Sequence, residues 1–252
     1  MKITILGCGT STGVPVIGCH CSVCTSEDPR NRRTRTSALF QVKGCNLLVD
    51  TSTDLRAQCL ANHIERIDAV LFTHPHADHI HGIDELRIFN LLQHSSIPCY
   101  GNQDTIRRIK GMFRYIFSEN ATNSWKPRLT LHIIDSPRKI MDIRVVPVEV
   151  LHGNLSILGY RIEDVAYITD CSSVPPESLK LLEGIRLLII GALREKPHPT
   201  HFTIAQAIEL SERLSPERTV LTHLSHSVDY TTHSKDLPEG VEFAYDGMQI
   251  EV

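Results

Sequence analysis

The stretch Thr73-His74-Pro75-His76-Ala77-Asp78-His79 places four side chains that can bind metal ions close together in the chain. It directly follows the apolar run Ala69–Phe72, so we predict that it forms the turn after a buried β-strand. Neutral imidazole and carboxylate together suit Zn²⁺, Mn²⁺ or Fe²⁺. Four ligands from one turn cannot all reach a single ion without strain, but they can serve two adjacent ions. We therefore expect the first two histidines to face one metal, and Asp78 and His79 to face a second.

A centre with two metals needs further ligands from distant parts of the chain, and three residues occupy equivalent positions. Each is a good metal ligand that comes shortly after a predicted strand, where loops at one edge of a β scaffold usually assemble sites. They are His152 after Ile143–Val150, Asp170 after Val165–Ile168 and His223 after Arg218–Leu221. Taken singly, each is more typical of an ordinary polar loop than of a metal site. Together with the histidine turn, they predict a complete ligand set.

Short β-branched runs alternate with helical stretches, and no repeat, low-complexity tract or linker divides the sequence. We therefore predict one domain over residues 1–252, with helices outside a layered β core. The predicted strands are Lys2–Leu6, Ala38–Val42, Asn46–Val49, Ala69–Phe72, Ile97–Tyr100, Leu131–Ile134, Ile143–Val150, Leu158–Ile162, Val165–Ile168, Leu187–Ile190, Arg218–Leu221 and Gln249–Val252. The predicted helices are Asp54–Asn62, Ala77–Gln93, Asp104–Phe117, Pro176–Leu182 and Thr203–Leu214.

Composition excludes several classes of protein. The 252 residues carry a formal net charge of −3, so charge gives no case for a nucleic-acid or anionic-membrane surface. No apolar run of about 18 residues is present, which excludes a transmembrane helix. The N-terminal segment is typical of a first β-strand rather than a signal peptide, so we expect a cytoplasmic protein. In that reducing compartment the 8 cysteines are expected to serve as metal ligands or core residues rather than disulfides.

Three of the cysteines lie in one short segment, Gly18-Cys19-His20-Cys21-Ser22-Val23-Cys24. The thiolates of Cys19, Cys21 and Cys24 suit a tetrahedral structural Zn²⁺ that needs one further ligand. His20 lies between two of them at an awkward spacing. We expect His226 to be the fourth ligand, because it comes shortly after His223 and can point away from the other site. The alternative is a reactive or merely buried trio of cysteines. We call residues 18–24 the zinc knuckle.

The order of these ligands along nearly the whole chain resembles the metallo-β-lactamase superfamily. The resemblance implies an α/β (α+β) fold, namely a four-layer αβ/βα sandwich with a dinuclear metal site at one sheet edge. It also implies that Asp50 supports the histidine turn from behind the ligands. Assigned by position, the first metal takes His74, His76 and His152, the second takes Asp78, His79 and His223, and Asp170 bridges the two.

Further motifs resemble the PhnP-like phosphodiesterase branch of this superfamily. They are Gly7-x-Gly9-Thr10-x-x-Gly13-Val14-Pro15, the zinc knuckle and Asp246-Gly247-Met248. That resemblance implies two divalent metals in the active site, Mn²⁺ or Zn²⁺ with Fe²⁺ also compatible, and one structural Zn²⁺. It also implies hydrolysis of small cyclic phosphodiesters such as 5-phosphoribosyl 1,2-cyclic phosphate, and a homodimer. PqqB proteins share the knuckle but are longer. The tRNA 3′-processing nucleases lack the knuckle and carry a basic arm that we do not find here.

The expected function is hydrolysis of a small phosphodiester by a metal-activated water, with Asp78 essential. By resemblance, His201 contacts the substrate phosphate as proton donor or electrostatic stabiliser of the leaving group. The basic run Arg30–Arg35 either recognises a phosphate or is a solvated face. Two other functions remain open: a thioester or lactone hydrolase using the same site, and a non-catalytic metal-binding accessory protein of the PqqB kind.

Overall fold

The computed structural model describes residues 1–118 and 125–252, which form two mixed β-sheets packed face to face. The first sheet has its strands in the spatial order β14 (Gln249–Glu251), β1 (Lys2–Gly7), β2 (Ser37–Val42), β3 (Cys45–Val49), β4 (Ala69–Leu71), β5 (Ile97–Gly101) and β6 (Leu129–Ile133). The second has the order β13 (Val241–Phe243), β12 (Arg218–Thr222), β11 (Leu187–Gly191), β10 (Val165–Ile168), β9 (Leu155–Ile162), β8 (Ile143–His152) and β7 (Arg138–Ile140).

The interface between the sheets is the main hydrophobic core. Phe40 of the first sheet meets Tyr167 of the second edge to face, with ring centroids 6.1 Å apart. Tyr160 is fully buried there and donates a hydrogen bond of 2.7 Å to the carbonyl oxygen of Phe72. Full burial of an apolar side chain such as Phe40 stabilises the fold by about 1.5–3 kcal/mol relative to leaving it exposed. The two sheets are therefore held together by apolar packing, and the hydroxyl of Tyr160 keeps a hydrogen bond within this core.

Helices cover the outer face of each sheet, which gives the expected four-layer sandwich. They are α1 (Leu55–Ala61), α2 (Ala77–Ile80), α3 (Leu86–Gln93), α4 (Gln103–Met112), α5 (Arg114–Phe117), α6 (Pro176–Leu181), α7 (Ile204–Leu214) and α8 (Tyr230–His233). Leu55 of α1 and Ile109 of α4 pack in one core with Val70 of the first sheet. Ala207 and Leu210 of α7 pack against the second sheet. Because the second sheet is covered on both faces, β11 is apolar at every position, as its sequence predicted.

The predicted helix Ala77–Gln93 is wrong as one continuous element. It divides into α2, a 3₁₀ segment at His81–Glu85, and α3. The physical reason lies at Gly82, where a Cβ atom would be 2.1 Å from the carbonyl oxygen of Ser52. The Gly82 amide also donates to the carbonyl oxygen of Thr51 at 3.0 Å. The chain tightens at this close approach, which no local helix propensity reveals.

Other differences are smaller. The predicted helix Asp104–Phe117 is interrupted at Phe113, where one further turn begins. Strands β7 and β13 were not predicted. Each is a three-residue strand at the edge of the second sheet, with too few apolar positions to form a pattern. Among the residues that the model describes, no helix is both long enough and apolar enough to span a membrane.

The topology of the second sheet brings the ends of several strands together. β10, β11 and β12 run parallel to one another. β8 is antiparallel to β9, which is antiparallel to β10, so β8 runs in the same direction as β10. The carboxyl ends of β8, β10 and β12 therefore lie at the same edge of the sheet. This arrangement places the residues that follow these three strands near one another.

Candidate metal centres

Asp50 holds the turn that follows β4. Its carboxylate accepts hydrogen bonds from the Thr73 amide at 2.8 Å and from the Thr73 hydroxyl at 2.7 Å. It also lies 2.7 Å from Nδ1 of His79, so that this nitrogen donates to the carboxylate. Asp50 is fully buried and has a left-handed backbone with φ 61°, a conformation that is costly for a residue other than glycine. The supporting role expected for Asp50 agrees with these contacts.

The surroundings of the other ring nitrogen of His79 fit a cation. Its Nε2 is buried and has no hydrogen-bond partner. It lies 3.3 Å from a carboxylate oxygen of Asp78 and 3.3 Å from one of Asp170. A buried polar atom without a partner costs free energy, and carboxylates crowded around it repel one another. A divalent cation among these atoms satisfies the nitrogen and neutralises the carboxylates, so the residues present fit a metal.

All seven predicted ligands of the dinuclear site converge at this place. Their donor atoms form overlapping groups in which every pair of donor atoms lies within 4.8 Å. The groups are His74 with His76 and His152, Asp78 with Asp170 and His223, His74 with His79 and Asp170, and His152 with Asp170 and His201. Asp170 belongs to three of these four groups, as a bridging ligand would. The first group is the one that the resemblance implies for the first metal, whereas His79 groups with His74 instead of Asp78 and His223. The assignment of each ligand to one metal therefore stays a prediction.

The electrostatics of the site follow from burial among charged neighbours. Burial lowers the pKa of His74 well below its usual value, which keeps the imidazole neutral and able to bind a metal. Burial acts to raise the pKa of Asp170, but the charges of His223 and His79 outweigh it and lower that pKa. Burial lowers the pKa of His79, yet the surrounding carboxylates Asp170 and Asp50 raise it well above normal. The carboxylates around His79 therefore favour a positive charge at this place.

A loop before α7 brings His201 over the ligands. The ring of His201 stacks on that of His223 with centroids 4.9 Å apart, and its centroid lies 4.7 Å from that of His152. The loop is fixed because Nδ1 of His152 lies 2.8 Å from the carbonyl oxygen of Thr200. Burial and the neighbouring His223 lower the pKa of His201 to about 3. His201 is therefore a neutral imidazole at the mouth of the site, where it can contact a substrate.

Two residues that support ligands were missed by the sequence analysis. Thr36 is fully buried, and its hydroxyl lies 3.0 Å from Nδ1 of His223 while it donates to the carbonyl oxygen of Gly9 at 2.8 Å. Thr200 fixes His152 through its carbonyl oxygen, as described above. Thr36 is 187 positions from His223 in the chain. No local motif connects such distant residues, so the sequence held no signal for either contact.

The donor atoms of Cys19, Cys21, Cys24 and His226 lie close enough together to share one ion. The sulfur atoms of Cys19, Cys21 and Cys24 lie 3.3, 3.5 and 3.6 Å from Nδ1 of His226. Ligands of a tetrahedral Zn²⁺ with ordinary bond lengths would place sulfur and nitrogen about 3.5 Å apart. The pKa of Cys21 is lowered to about 6, mainly by a hydrogen bond from the backbone amide of Cys24. This lowered pKa favours the thiolate. These residues fit one Zn²⁺, and His20 is not part of the group.

Three of the four arginines in the basic run Arg30–Arg35 pair with other groups of the protein, although only Arg33 is buried. Arg30 pairs with Asp28 at 2.8 Å, and its guanidinium lies 4.3 Å from the ring centroid of Tyr230. Arg35 pairs with Asp54 at 2.7 Å. Arg33 is 2% exposed. Phosphate recognition by this run as a whole is therefore disfavoured, because three of its four arginines make internal contacts.

Comparisons with known proteins agree with this architecture. The model of a family described as a beta-lactamase superfamily domain matches residues 45–224. A crystal structure described as a new diphosphatase from the PhnP family superposes with a TM-score of 0.93 and 39% sequence identity, and the match covers 100% of this chain and 97% of that one.

Curated relatives have other names. Octanoyltransferase from Porphyromonas gingivalis is 40% identical over 254 residues, which cover 99% of this chain and 51% of the relative. The chain thus spans about half the length of that relative. Coenzyme PQQ synthesis protein B from Methylorubrum extorquens is 36% identical over 214 residues, or 75% of this chain and 72% of the relative.

Proposed function

The chain belongs to the metallo-β-lactamase superfamily of hydrolases as a PhnP-like member, and from this premise we propose that it is a metal-dependent phosphodiesterase. The proposed substrates are small cyclic or nucleotide-like phosphodiesters, with 5-phosphoribosyl 1,2-cyclic phosphate as one candidate. The observation that carries the proposal is the complete donor set around the unpartnered Nε2 of His79. The similarity to a PhnP-family diphosphatase supports phosphoryl chemistry within this broad superfamily.

The metals are part of the proposal. The dinuclear site would hold two divalent ions, Mn²⁺ or Zn²⁺ with Fe²⁺ also compatible, because mixed imidazole and carboxylate ligands accept all three. When bound, such ions lower the pKa of water and neutralise charge on phosphoryl oxygens. The ligands would be His74, His76, Asp78, His79, His152, Asp170 and His223. The zinc knuckle would hold a separate Zn²⁺ through three thiolates and His226, with a structural role.

His201 is proposed to act on the substrate directly. Its ring lies against those of His152 and His223, which places it beside the metal ligands rather than among the supporting residues. Because its pKa is about 3 in the metal-free site, the imidazole is neutral and donates a hydrogen bond to a phosphoryl or leaving oxygen. An anionic substrate raises that pKa, which would allow His201 to give up a proton as the leaving group departs.

The mouth of the site favours an anionic substrate. Arg194 lies in the same loop as His201, and its guanidinium donates to the carbonyl oxygens of Lys196 at 3.2 Å and Pro197 at 3.4 Å. The ring of His198 lies 5.1 Å from that of His201. Burial lowers the pKa of His198, and the charge of Arg194 lowers it further. A fixed positive charge beside the site attracts a phosphate more strongly than a neutral lactone.

The decisive experiment is a comparison of substrates on metal-loaded protein. Bis-p-nitrophenyl phosphate and a cyclic ribose phosphodiester should be hydrolysed, with activity removed by chelation and restored by Mn²⁺ or Zn²⁺. The His201→Gln variant should keep its metals but lose most of this activity. No phosphodiester turnover under any metal would refute the proposed function.

A second candidate is hydrolysis of an acyl thioester. The relative named octanoyltransferase favours it, since this chain matches about half of that protein at 40% identity. An octanoyl thioester should therefore be assayed beside the phosphodiesters, together with a lactone. Turnover of neither class would favour a non-catalytic accessory role, which the similarity to coenzyme PQQ synthesis protein B also suggests.

A further inference from the structure

One short segment carries a candidate ligand for each of the two metal centres. His223 belongs to the dinuclear site and His226 to the zinc knuckle, only three residues further along the chain. His223 has a left-handed backbone with φ 57°, so its position depends on the chain on either side being held. We call residues 223–228 the ligand segment. Any displacement of one end of this segment is transmitted to the other over a few bonds.

The middle of the ligand segment is fixed by backbone contacts. Leu224 pairs with the loop after β1, because its amide donates to the carbonyl oxygen of Cys8 at 2.8 Å and its carbonyl oxygen accepts from the Thr10 amide at 3.2 Å. The amide of Val228 donates to the carbonyl oxygen of Ser225 at 3.2 Å, which closes a tight turn. His226 lies within that turn. The turn and the ligand His223 are therefore joined through one immobilised residue.

A buried arginine spans the same turn. The guanidinium of Arg33 donates to the carbonyl oxygen of Ser225 at 2.9 Å and to that of Val228 at 2.7 Å. It also donates to the side-chain oxygen of Asn31 at 3.0 Å and to the carbonyl oxygen of Arg30 at 3.2 Å. All four acceptors are carbonyl oxygens, so this buried charge is offset by dipoles. Burying a cation costs free energy, and the hydrogen bonds to these four acceptors offset that cost.

We propose that Arg33 is a positioning residue that couples the zinc knuckle to the dinuclear centre. Zn²⁺ in the knuckle would hold His226, Arg33 would keep the turn around His226 closed, and Leu224 would carry that order to His223. The knuckle then sets the affinity of the dinuclear site for its second metal. This coupling rests on the two proposed metal centres, but it concerns metal binding and does not depend on which ester is hydrolysed.

A lysine cannot replace this arginine. The guanidinium is a rigid planar fork that reaches Ser225 and Val228 at the same time, whereas an ammonium is a point charge on a flexible stem. The Arg33→Lys variant keeps the buried charge and loses the fork. Arg32 is the matched control, since it is adjacent and exposed, so Arg32→Lys should behave like the native protein.

The test measures metals rather than turnover alone. Protein that retains its knuckle Zn²⁺ is titrated with Mn²⁺ in a calorimeter, and zinc is counted by elemental analysis. Arg33→Lys should keep one Zn²⁺ per chain and bind Mn²⁺ about 10–100-fold more weakly, the usual effect of losing a contact that supports a ligand. On a phosphodiester, kcat should fall with KM little changed. A folded Arg33→Lys variant with native Mn²⁺ affinity would overturn the proposal, because a merely stabilising arginine would lower only the melting temperature.

A second variant keeps the proposal testable if Arg33→Lys does not fold. Cys24→Ser removes a knuckle ligand and should lose the tightly held Zn²⁺ and weaken Mn²⁺ binding at the dinuclear site together. Loss of that Zn²⁺ with unchanged Mn²⁺ affinity would refute the coupling. Coupled metal binding in a protein that hydrolyses no phosphodiester would instead refute the proposed function and leave the coupling standing.

Discussion

The two candidate metal centres are built in opposite ways. Three of the four knuckle ligands come from one short segment of chain, and all four ligands are partly exposed. The dinuclear centre collects its ligands from the ends of strands in both sheets, and nearly all of them are buried. The fourth knuckle ligand, His226, is 207 positions from Cys19, so a metal in the knuckle would tie two distant segments together. We therefore expect damage to the knuckle to lower stability first, and damage to the buried centre to lower activity first.

The largest effect is expected from removing the bridging carboxylate. Asp170→Asn keeps the shape of the side chain but removes the charge shared by three donor groups. Phosphodiesterase activity should fall by more than the roughly 100-fold that loss of a supporting contact costs. Asp78→Ala should also abolish activity, with little change in circular dichroism. Asp135→Asn, at an exposed position, is the control. Full activity in Asp170→Asn would mean that the centre is misassigned.

The zinc knuckle should respond in stability. Cys21→Ser removes one of the three thiolates near His226 and should release the structural Zn²⁺. Loss of a structural metal is one of the few changes that lower the free energy of unfolding by about 4 kcal/mol or more. The melting temperature should therefore drop clearly. Cys45→Ser, which lies outside both metal groups, serves as control. An unchanged zinc content and melting temperature in Cys21→Ser would disprove the structural role.

Support of the buried centre can be weakened without touching a ligand. Asp50→Asn keeps the size of the side chain but no longer offers a charged acceptor to both Thr73 and His79. Metal affinity and activity should each fall about 10–100-fold while the fold is retained. Equilibrium dialysis against Mn²⁺, with far-ultraviolet circular dichroism as the check on folding, measures both. If Asp50→Asn bound Mn²⁺ with native affinity, the turn after β4 would not depend on Asp50 for its conformation.

The smallest effect is a pH dependence of the metal-free protein. Burial is the first cause that lowers the pKa of His74, His76, His201 and His223 below 6.5. The unfolded chain therefore takes up protons first, and stability falls as the pH drops below about 6.5 towards the folded pKa values. His79 acts in the opposite direction, because its raised pKa adds stability that is lost only as the pH rises.

Urea unfolding of the metal-free protein at pH 7.0 and pH 5.0 should detect this difference. For His201, whose pKa is about 3, we expect a loss of about 1 kcal/mol at pH 5.0 after allowing for its partial exposure. The His201→Gln variant should show a correspondingly smaller loss. Equal stability of the native protein at both pH values would contradict the buried, neutral state of these histidines.

Much of the molecule was predictable because its signals are local. The twelve predicted strands are all present, with ends that differ by a few residues, since alternating or uninterrupted apolar runs reflect burial directly. The predicted helix Thr203–Leu214 is present as α7, and Thr203 caps its N-terminus in a reciprocal capping box with Gln206. The division of the helix after His79 was not predicted. It depends on the approach of Gly82 to Ser52, which are 30 positions apart in the chain.

The sequence by itself determined which donor atoms the protein carries and in what order, because ligand chemistry and strand patterns are written in neighbouring residues. Only the tertiary structure decided how those donors are held. Thr36 beside His223, Thr200 beside His152 and the buried Arg33 across the turn at Ser225 all join segments far apart in the chain. The basic run that contains Arg33 looks the same in sequence whether it faces solvent or lies inside. Burial and pairing depend on how the whole chain packs, so only the tertiary structure distinguishes the buried Arg33 from its exposed neighbour Arg32.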